Sequence, residues 1–319
     1  MQEQLRASAD VAIKECLAVQ PHERVLVITD TKLHEVGEVL FRTAAEIAET
    51  AMVTILPRKS HGEEPPPDVA EMMKAYDVLI IPTDRSMSHT EARRNACKAG
   101  ARCATLPNIL PETMVRAMNA DYRRIADLSI KMAELITKAT SAQVTTPAGT
   151  DLSFSLDGMT GIADTGILHK PGGFTNLPAG EAYSAPVEGT ARGTLVIDGA
   201  IADTGVLSPD DHIHIDVENG YAVTISGGKS AEYLLSIMEP HGKKAFNIAE
   251  LGIGTNYKAK LIGSILEDEK ALGTIHIAMG DNRSMGGNIR VASHLDGILL
   301  RPSLYFDGEP IIVDGEIVV

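Results

Sequence analysis

From residue 24 to about residue 140 the chain alternates two textures. Short β-branched runs, "RVLVITD" (24–30), "MVTILP" (52–57) and "DVLIIPTD" (77–84), read as strands. Between the first two, "LHEVGEVLFRTAAEIAETA" repeats apolar residues at helical spacing through Val36, Leu40, Ala44 and Ile47. "PDVAEMMKAY" opens a second helix on proline, and "SMSHTEARRNACKAGARCATLP" (86–107) reads as a helix capped by Ser88 or Thr90, stopped at Gly100 and followed by another strand. A long amphipathic helix, "DYRRIADLSIKMAELITKA" (121–139), ends the series. Strands alternating with helices in this way imply a parallel sheet covered by helices.

From Thr140 the pattern becomes strands punctuated by turns: "AQVTTPAGTDLSFSLDG", "GTLVIDGAI", "HIHIDVENGYAVTISGG" and "EPIIVDGEIVV". Several are separated by Asp-Gly or Asn-Gly, the strongest short hairpin signals. One short helix, "KSAEYLLSIMEP", interrupts them. The predicted class is α/β. An N-terminal α/β domain with a mainly parallel sheet (1–140), expected to shape the cleft and dimer contacts, precedes a β-rich α+β domain (141–319) expected to carry a metal site.

Composition narrows the partners. The 319 residues carry 43 acidic against 29 basic side chains, a formal charge of −14. That balance argues against nucleic acid, whose phosphates need a concentrated basic face, and suits a carboxylate-rich cation site. No window is apolar enough to span a membrane, and the start "MQEQLRASADVAIKE" is charged where a signal peptide is apolar, so a soluble cytoplasmic protein is expected. Cys16, Cys97 and Cys103 have neither disulfide-framework nor zinc-ribbon spacing. The turn after the first strand, "TDTKLHE", lacks the glycines of a dinucleotide loop, and no G-x-S-x-G elbow is present.

Four segments place acids or imidazoles in unusual company. Glu181 lies in the Gly- and Pro-rich "GGFTNLPAGEAYSAP"; Glu250 sits in the apolar "NIAELGIGTN"; His276 stands mid-strand in "LGTIHIAMGDN"; His294 and Asp296 precede the apolar run of "SHLDGILL". Singly, each reads as a hydrogen-bonded core residue or a solvated acid. Together, they form a chemically coherent shell for Zn, Co, Mn or Fe, because buried carboxylates need pairing or a cation. The residues alone leave both readings open. His294 and Asp296, two apart on a strand, project from one face. A rival set, His212, His214 and Asp216 in "DDHIHIDVENG", has metal-ligand spacing too, but the alternating Ile213, Ile215 and Val217 favour a strand with one wet side. His89, near a helix start, reads as a surface residue before it reads as a substrate contact.

In this order and with these gaps, "TNLPAGEAYSAP", "AELGIGTN", "HIAMGD" and "SHLD" resemble the thermophilic metallo-aminopeptidase family, the aminopeptidase T and aminopeptidase S group, over residues 140–310. The resemblance implies two divalent ions, typically Zn or Co, held by Glu181, Glu250, His276, His294 and Asp296. It further implies a cytoplasmic, homodimeric hydrolase of the leucyl aminopeptidase kind, a metalloprotease whose metal-activated water releases N-terminal residues from small peptides. Glu181 or Glu250 would then act as proton shuttle. The family's peptidases carry a Tyr a few residues beyond the first ligand His; here that position is Arg283, which could stabilise an oxyanion or bind a substrate carboxylate, and the segment between the two His is shorter. The architecture is also similar to that of 2,5-dihydroxypyridine dioxygenase, which implies the alternative: a ring-cleaving enzyme with one Fe(II) on His276, His294 and Asp296.

Overall fold

The computed structural model describes residues 1–319, which form two compact units. The first comprises Met1–Ala126 with Asp164–Ala179, the second Asp127–Ala163 with Gly180–Val319. This division differs from the boundary at residue 140: the helix Tyr122–Lys138 straddles the junction, and a segment from beyond residue 140 returns to the first unit.

In chain order the strands are β1 (Arg24–Asp30), β2 (Glu49–Ile55), β3 (Val78–Ile81), β4 (Arg102–Thr105), β5 (Ser141–Thr145) and β6 (Asp151–Ser155). Then come β7 (Ile162–Asp164), β8 (Phe174–Asn176), β9 (Glu181–Ser184), β10 (Arg192–Ile197), β11 (Ile213–Glu218) and β12 (Tyr221–Ser226). The last six are β13 (Ile248–Gly254), β14 (Ile275–Gly280), β15 (His294–Leu299), β16 (Ser303–Phe306), β17 (Glu309–Val313) and β18 (Glu316–Ile317).

The first unit is the expected parallel sheet, in the order β2-β1-β3-β4-β8. Its central strands are buried along nearly their whole length, as continuous apolar runs must be when helices cover both faces. Thr90 is the N-cap of the helix Glu91–Lys98, accepting a hydrogen bond from the Arg93 N–H. The edge strand β8 has only three residues and no apolar run, so its pairing with β4 rests on long-range contact and leaves no trace in the local pattern.

The second unit holds two further sheets. An antiparallel eight-stranded sheet has the order β12-β11-β10-β6-β5-β16-β17-β18, and a five-stranded one the order β15-β14-β13-β9-β7. Two hairpins of the larger sheet turn on Asn219-Gly220 and Asp307-Gly308, with φ of 50° and 80° and of 51° and 87°. Positive φ at both central residues is the turn geometry that suits the twist of an antiparallel pair, as the Asn-Gly and Asp-Gly signals predict.

Between these two sheets lies the larger core. Leu152, Phe154, Leu195, Ile213 and Ile215 of one sheet join Leu251, Ile253, Ile275, Ile277, Met279 and Leu299 of the other. Truncating one of these side chains to alanine costs about 2–5 kcal/mol. Since alternate residues of a strand face opposite ways, burying that set commits the intervening residues of β13, β14 and β15 to the other face of the five-stranded sheet.

Candidate metal centre

That other face carries Glu181, Glu250, His276, His294 and Asp296 of the four segments. Pairing is antiparallel, with Gly254 opposite Glu181, Gly252 opposite Tyr183 and His276, and Ala278 opposite Glu250 and Asp296. Gly280 stands opposite His294. Directly opposed residues share a face. The sheet therefore sets Glu181, Glu250, His276, His294 and Asp296 around a floor of Gly252, Gly254, Ala278 and Gly280. The floor has to be small: a Cβ on Gly252 would stand 1.8 Å from His276 Nε2. A one-residue irregularity between Ile248 and Glu250 lets Ile248 face the core while Glu250 faces the site.

Distances within the set are short. His276 Nε2 lies 3.4 Å from Glu250 Oε1 and 3.5 Å from Glu181 Oε2. His294 Nε2 lies 3.0 Å from Glu250 Oε2 and 3.3 Å from Asp296 Oδ1. Two groups of three donors result, Glu181–Glu250–His276 and Glu250–His294–Asp296, with Glu250 common to both. Two donors bound side by side to one ion at about 2.1 Å each stand about 3 Å apart, so the donor set fits a first-row divalent metal in spacing and in chemistry. His294 Nδ1 is 2.8 Å from the Asp281 carbonyl and donates its proton there, turning Nε2 toward the acids. Such outer hydrogen bonds fix the tautomer of a metal-binding imidazole.

The electrostatics demand positive charge. Burial opposes protonation of His276, but the hydrogen bond to Glu250 and the charges of Glu181, Glu250 and Asp296 outweigh it and raise its pKa to about 9. His294 is raised well above its ordinary value against the same opposition, chiefly by Asp296 and then Glu250. Burial would lift Glu250 and Asp296, yet the two imidazoles hold both below the usual carboxylate range. Protons on the two Nε2 atoms answer this field, and a divalent cation would answer it with the same total charge while taking the imidazoles in their neutral, ligating form. The His276 side chain is 1% exposed, Asp296 13% and His294 20%, so access is from the β15 side.

Two residues of the site escaped the sequence reading. Lys270, just beyond the short helix Ile265–Asp268, is buried with Nζ 2.5 Å from Glu181 Oε1 and 2.7 Å from Glu269 Oε1. Burial, reinforced by Glu181 and Asp296 and partly offset by Lys270, pushes the Glu269 carboxyl up to about 8. Arg283, in contrast, is exposed on the turn Arg283–Met285, and its guanidinium makes no ion pair with the five. The neck of the segment between the two His is laced internally. Asp281 accepts from the Arg283 and Val291 N–H groups, and Asn282 Oδ1 from the Ile289 N–H at 2.8 Å. Glu188 holds the Asn288 N–H at 2.6 Å. His212, His214 and Asp216 form no group with a third donor within reach, and β11 alternates buried and exposed residues along its length. Ser88 bonds to Thr105 and Asn176 within the first unit, one residue before His89.

Fold and site together define a mixed α/β scaffold with one parallel and two antiparallel sheets and a candidate metal centre on one of them. More narrowly, the sequence profile of the 2,5-dihydroxypyridine 5,6-dioxygenase family, NicX, matches residues 8–319, and the chain belongs to that family. It is 26% identical over 259 residues to the 2,5-dihydroxypyridine 5,6-dioxygenase of Pseudomonas putida KT2440, covering 75% of this chain and 71% of that one. The solved structure of 2,5-dihydroxypyridine dioxygenase from the same strain superposes over 100% of this chain and 98% of its own, with a TM-score of 0.85 at 21% identity. Wild-type AmpT from Thermus thermophilus superposes over 99% of both chains with a TM-score of 0.71 at 19% identity.

The aminopeptidase expectation is thereby corrected. The likeness to AmpT is one of fold, whereas the family match runs nearly end to end and names a dioxygenase. Hydrolase, metalloprotease and leucyl aminopeptidase are not descriptions of this chain. The motifs describe the acid- and histidine-bearing face of one sheet, and a likeness of fold to AmpT does not carry its activity to this chain. No helix is long and apolar enough to cross a membrane.

Proposed function

We propose that the chain is a non-haem Fe(II) dioxygenase that opens a hydroxylated aromatic ring of the 2,5-dihydroxypyridine kind, with His276, His294 and Asp296 holding one iron ion. Membership of the NicX family carries this reading, and the presence of two imidazoles and a carboxylate on one sheet face supports it. Two His and one carboxylate are the facial set of non-haem iron oxygenases. Ferrous iron supplies the redox chemistry that lets dioxygen react with a closed-shell ring.

The rest is the protein's work. His294 is locked by its bond to the Asp281 carbonyl, so its lone pair has one direction. Glu250 reaches both imidazoles through separate oxygens and steers their Nε2 atoms together. The ring enters from the β15 side, where Asp296 and His294 are more exposed than the buried His276. Glu181 and Glu250 would flank that single ion. Arg283 has no part in this scheme.

The test is oxygen uptake by anaerobically purified protein reconstituted with Fe(II) and offered 2,5-dihydroxypyridine, gentisate, catechol and hydroquinone. Stoichiometric uptake with ring opening of one or more of these is expected. No uptake from any of them, with iron bound, would overturn the reading.

A further inference from the structure

The two donor groups that share Glu250 look at first like seats for two ions, but the first is already served. Lys270 Nζ stands 2.5 Å from Glu181 Oε1, while the other oxygen of the same carboxylate, Oε2, lies 3.5 Å from His276 Nε2, so the charge of Glu181 is already paired on the side away from the imidazole. The lysine side chain is 1% exposed, and an ammonium so deeply buried is stable only when paired. Glu181 and Glu269 together pair it.

Its backbone is fixed as firmly as its head. The Lys270 N–H donates to the Glu267 carbonyl, and its own carbonyl accepts from the Asn256 N–H at 2.8 Å. Gly254 makes room for that backbone, since a Cβ there would meet the Ala271 carbonyl oxygen at 2.1 Å. Gly254 is also the residue opposite Glu181 on the sheet. One glycine therefore admits the lysine segment beside the acid that the lysine neutralises.

We propose that Lys270 is a built-in cation that takes the place of a second metal ion, so that the acidic face of this sheet accepts one divalent ion and Glu181 remains an oriented carboxylate outside its coordination. An ion entering the Glu181–Glu250–His276 group would meet a fixed positive charge within a few ångströms in a poorly screened interior. Lys270 is a positioning residue: it acts through Glu181. The inference rests on the single-ion reading of the site and stands apart from the identity of the substrate.

The test counts ions. Protein stripped by chelation is titrated anaerobically with Co(II), bound metal is measured per chain, and Co(II) paramagnetic resonance reports whether neighbouring ions couple. Wild type should bind one ion with an uncoupled signal. Lys270→Gln should bind two with the signal diminished by coupling, and Lys270→Arg should return to one. Two ions in wild type, or one in K270Q, would overturn the inference. Because K270Q could lose its fold, Glu181→Gln provides an independent arm: it should keep the single ion with affinity within about threefold, and loss of that ion would overturn the inference equally. One ion in wild type without oxygen uptake would sink the proposed activity and leave Lys270's role standing.

Discussion

Two strands of this protein carry nearly the same signature and have opposite surroundings. β11 contributes His214 and Asp216, preceded by His212, and β15 contributes His294 and Asp296, in each case two apart on one face. On β11 the opposed residues are Val196 and Ser226 at His214, and Thr194 and Thr224 at Asp216. On β15 they are Gly280 and Ala278, beyond which stands Glu250. His214 and Asp216 are exposed, whereas His294 is 20% and Asp296 13% exposed. Spacing along a strand puts two donors on one face; the neighbouring strands decide whether anything converges on them. Small neighbours and a third acid make a centre, and bulky or hydroxyl neighbours make a wet surface.

The sharpest way to break the contrast is to remove its two carboxylates in turn. Asp296→Ala should lower metal affinity more than about a hundredfold and abolish oxygen uptake, since it deletes a donor rather than an outer hydrogen bond. Asp216→Ala should change neither. Elemental analysis of dialysed protein with an oxygen electrode reads both, and full metal content in D296A would refute the assignment of that residue.

Next in size is the floor. Gly252→Ala drives a methyl into the His276 ring, and overpacking of this sort costs about 1–3 kcal/mol. Metal affinity should fall at least about tenfold in protein that still folds. An unchanged affinity and melting temperature would show that the clearance is not needed.

A smaller effect separates the strands by pH. In chelated protein, His276 is raised from 6.5 to about 9 in the folded state, so its stabilising charge is complete below about pH 6.5 and disappears as pH rises through 9. Glu269, raised from 4.5 to about 8 by burial, penalises the fold over the window from 4.5 to 8 as the proton leaves. Both shifts have one sign, so the chelated protein should melt progressively lower from pH 6 to pH 9.5. Metal should flatten that slope, and a melting temperature that climbs with pH in chelator would contradict it. Smallest of all, replacing His214 by Gln and Asp216 by Asn together should leave stability within about 0.5 kcal/mol and metal content untouched.

Much of this was legible in the chain. The run "RVLVITD" marks β1 residue for residue, Thr90 rather than Ser88 caps its helix, and Asn219-Gly220, Asp307-Gly308 and Asp314-Gly315 turn hairpins while Asp157-Gly158 and Asp198-Gly199 do not. His294 and Asp296, two apart on β15, were legible as sharing a face, whereas Glu181 sits in a Gly- and Pro-rich stretch whose place on β9 the local pattern does not show. Lys270 was not legible. In "LEDEKALG" a lysine among three acids has the look of a solvated turn, and its burial depends on β9, almost ninety residues earlier in the chain. β8 was hidden for the same reason. The family was hidden differently: the quoted motifs cover residues 140–310, whereas the family match runs over residues 8–319.

The hydrogen-bonded neck between the two histidines has one more consequence. Asp281, Asn282 and Glu188 close residues 281–291 on themselves, while Arg283, Ser284, Gly286, Asn288 and Arg290 lie exposed at the tip. Asp281 thus belongs to both features, its carboxylate closing the neck and its carbonyl accepting from His294 Nδ1. Changes of charge at the exposed tip should therefore leave the bond between His294 Nδ1 and the Asp281 carbonyl in place.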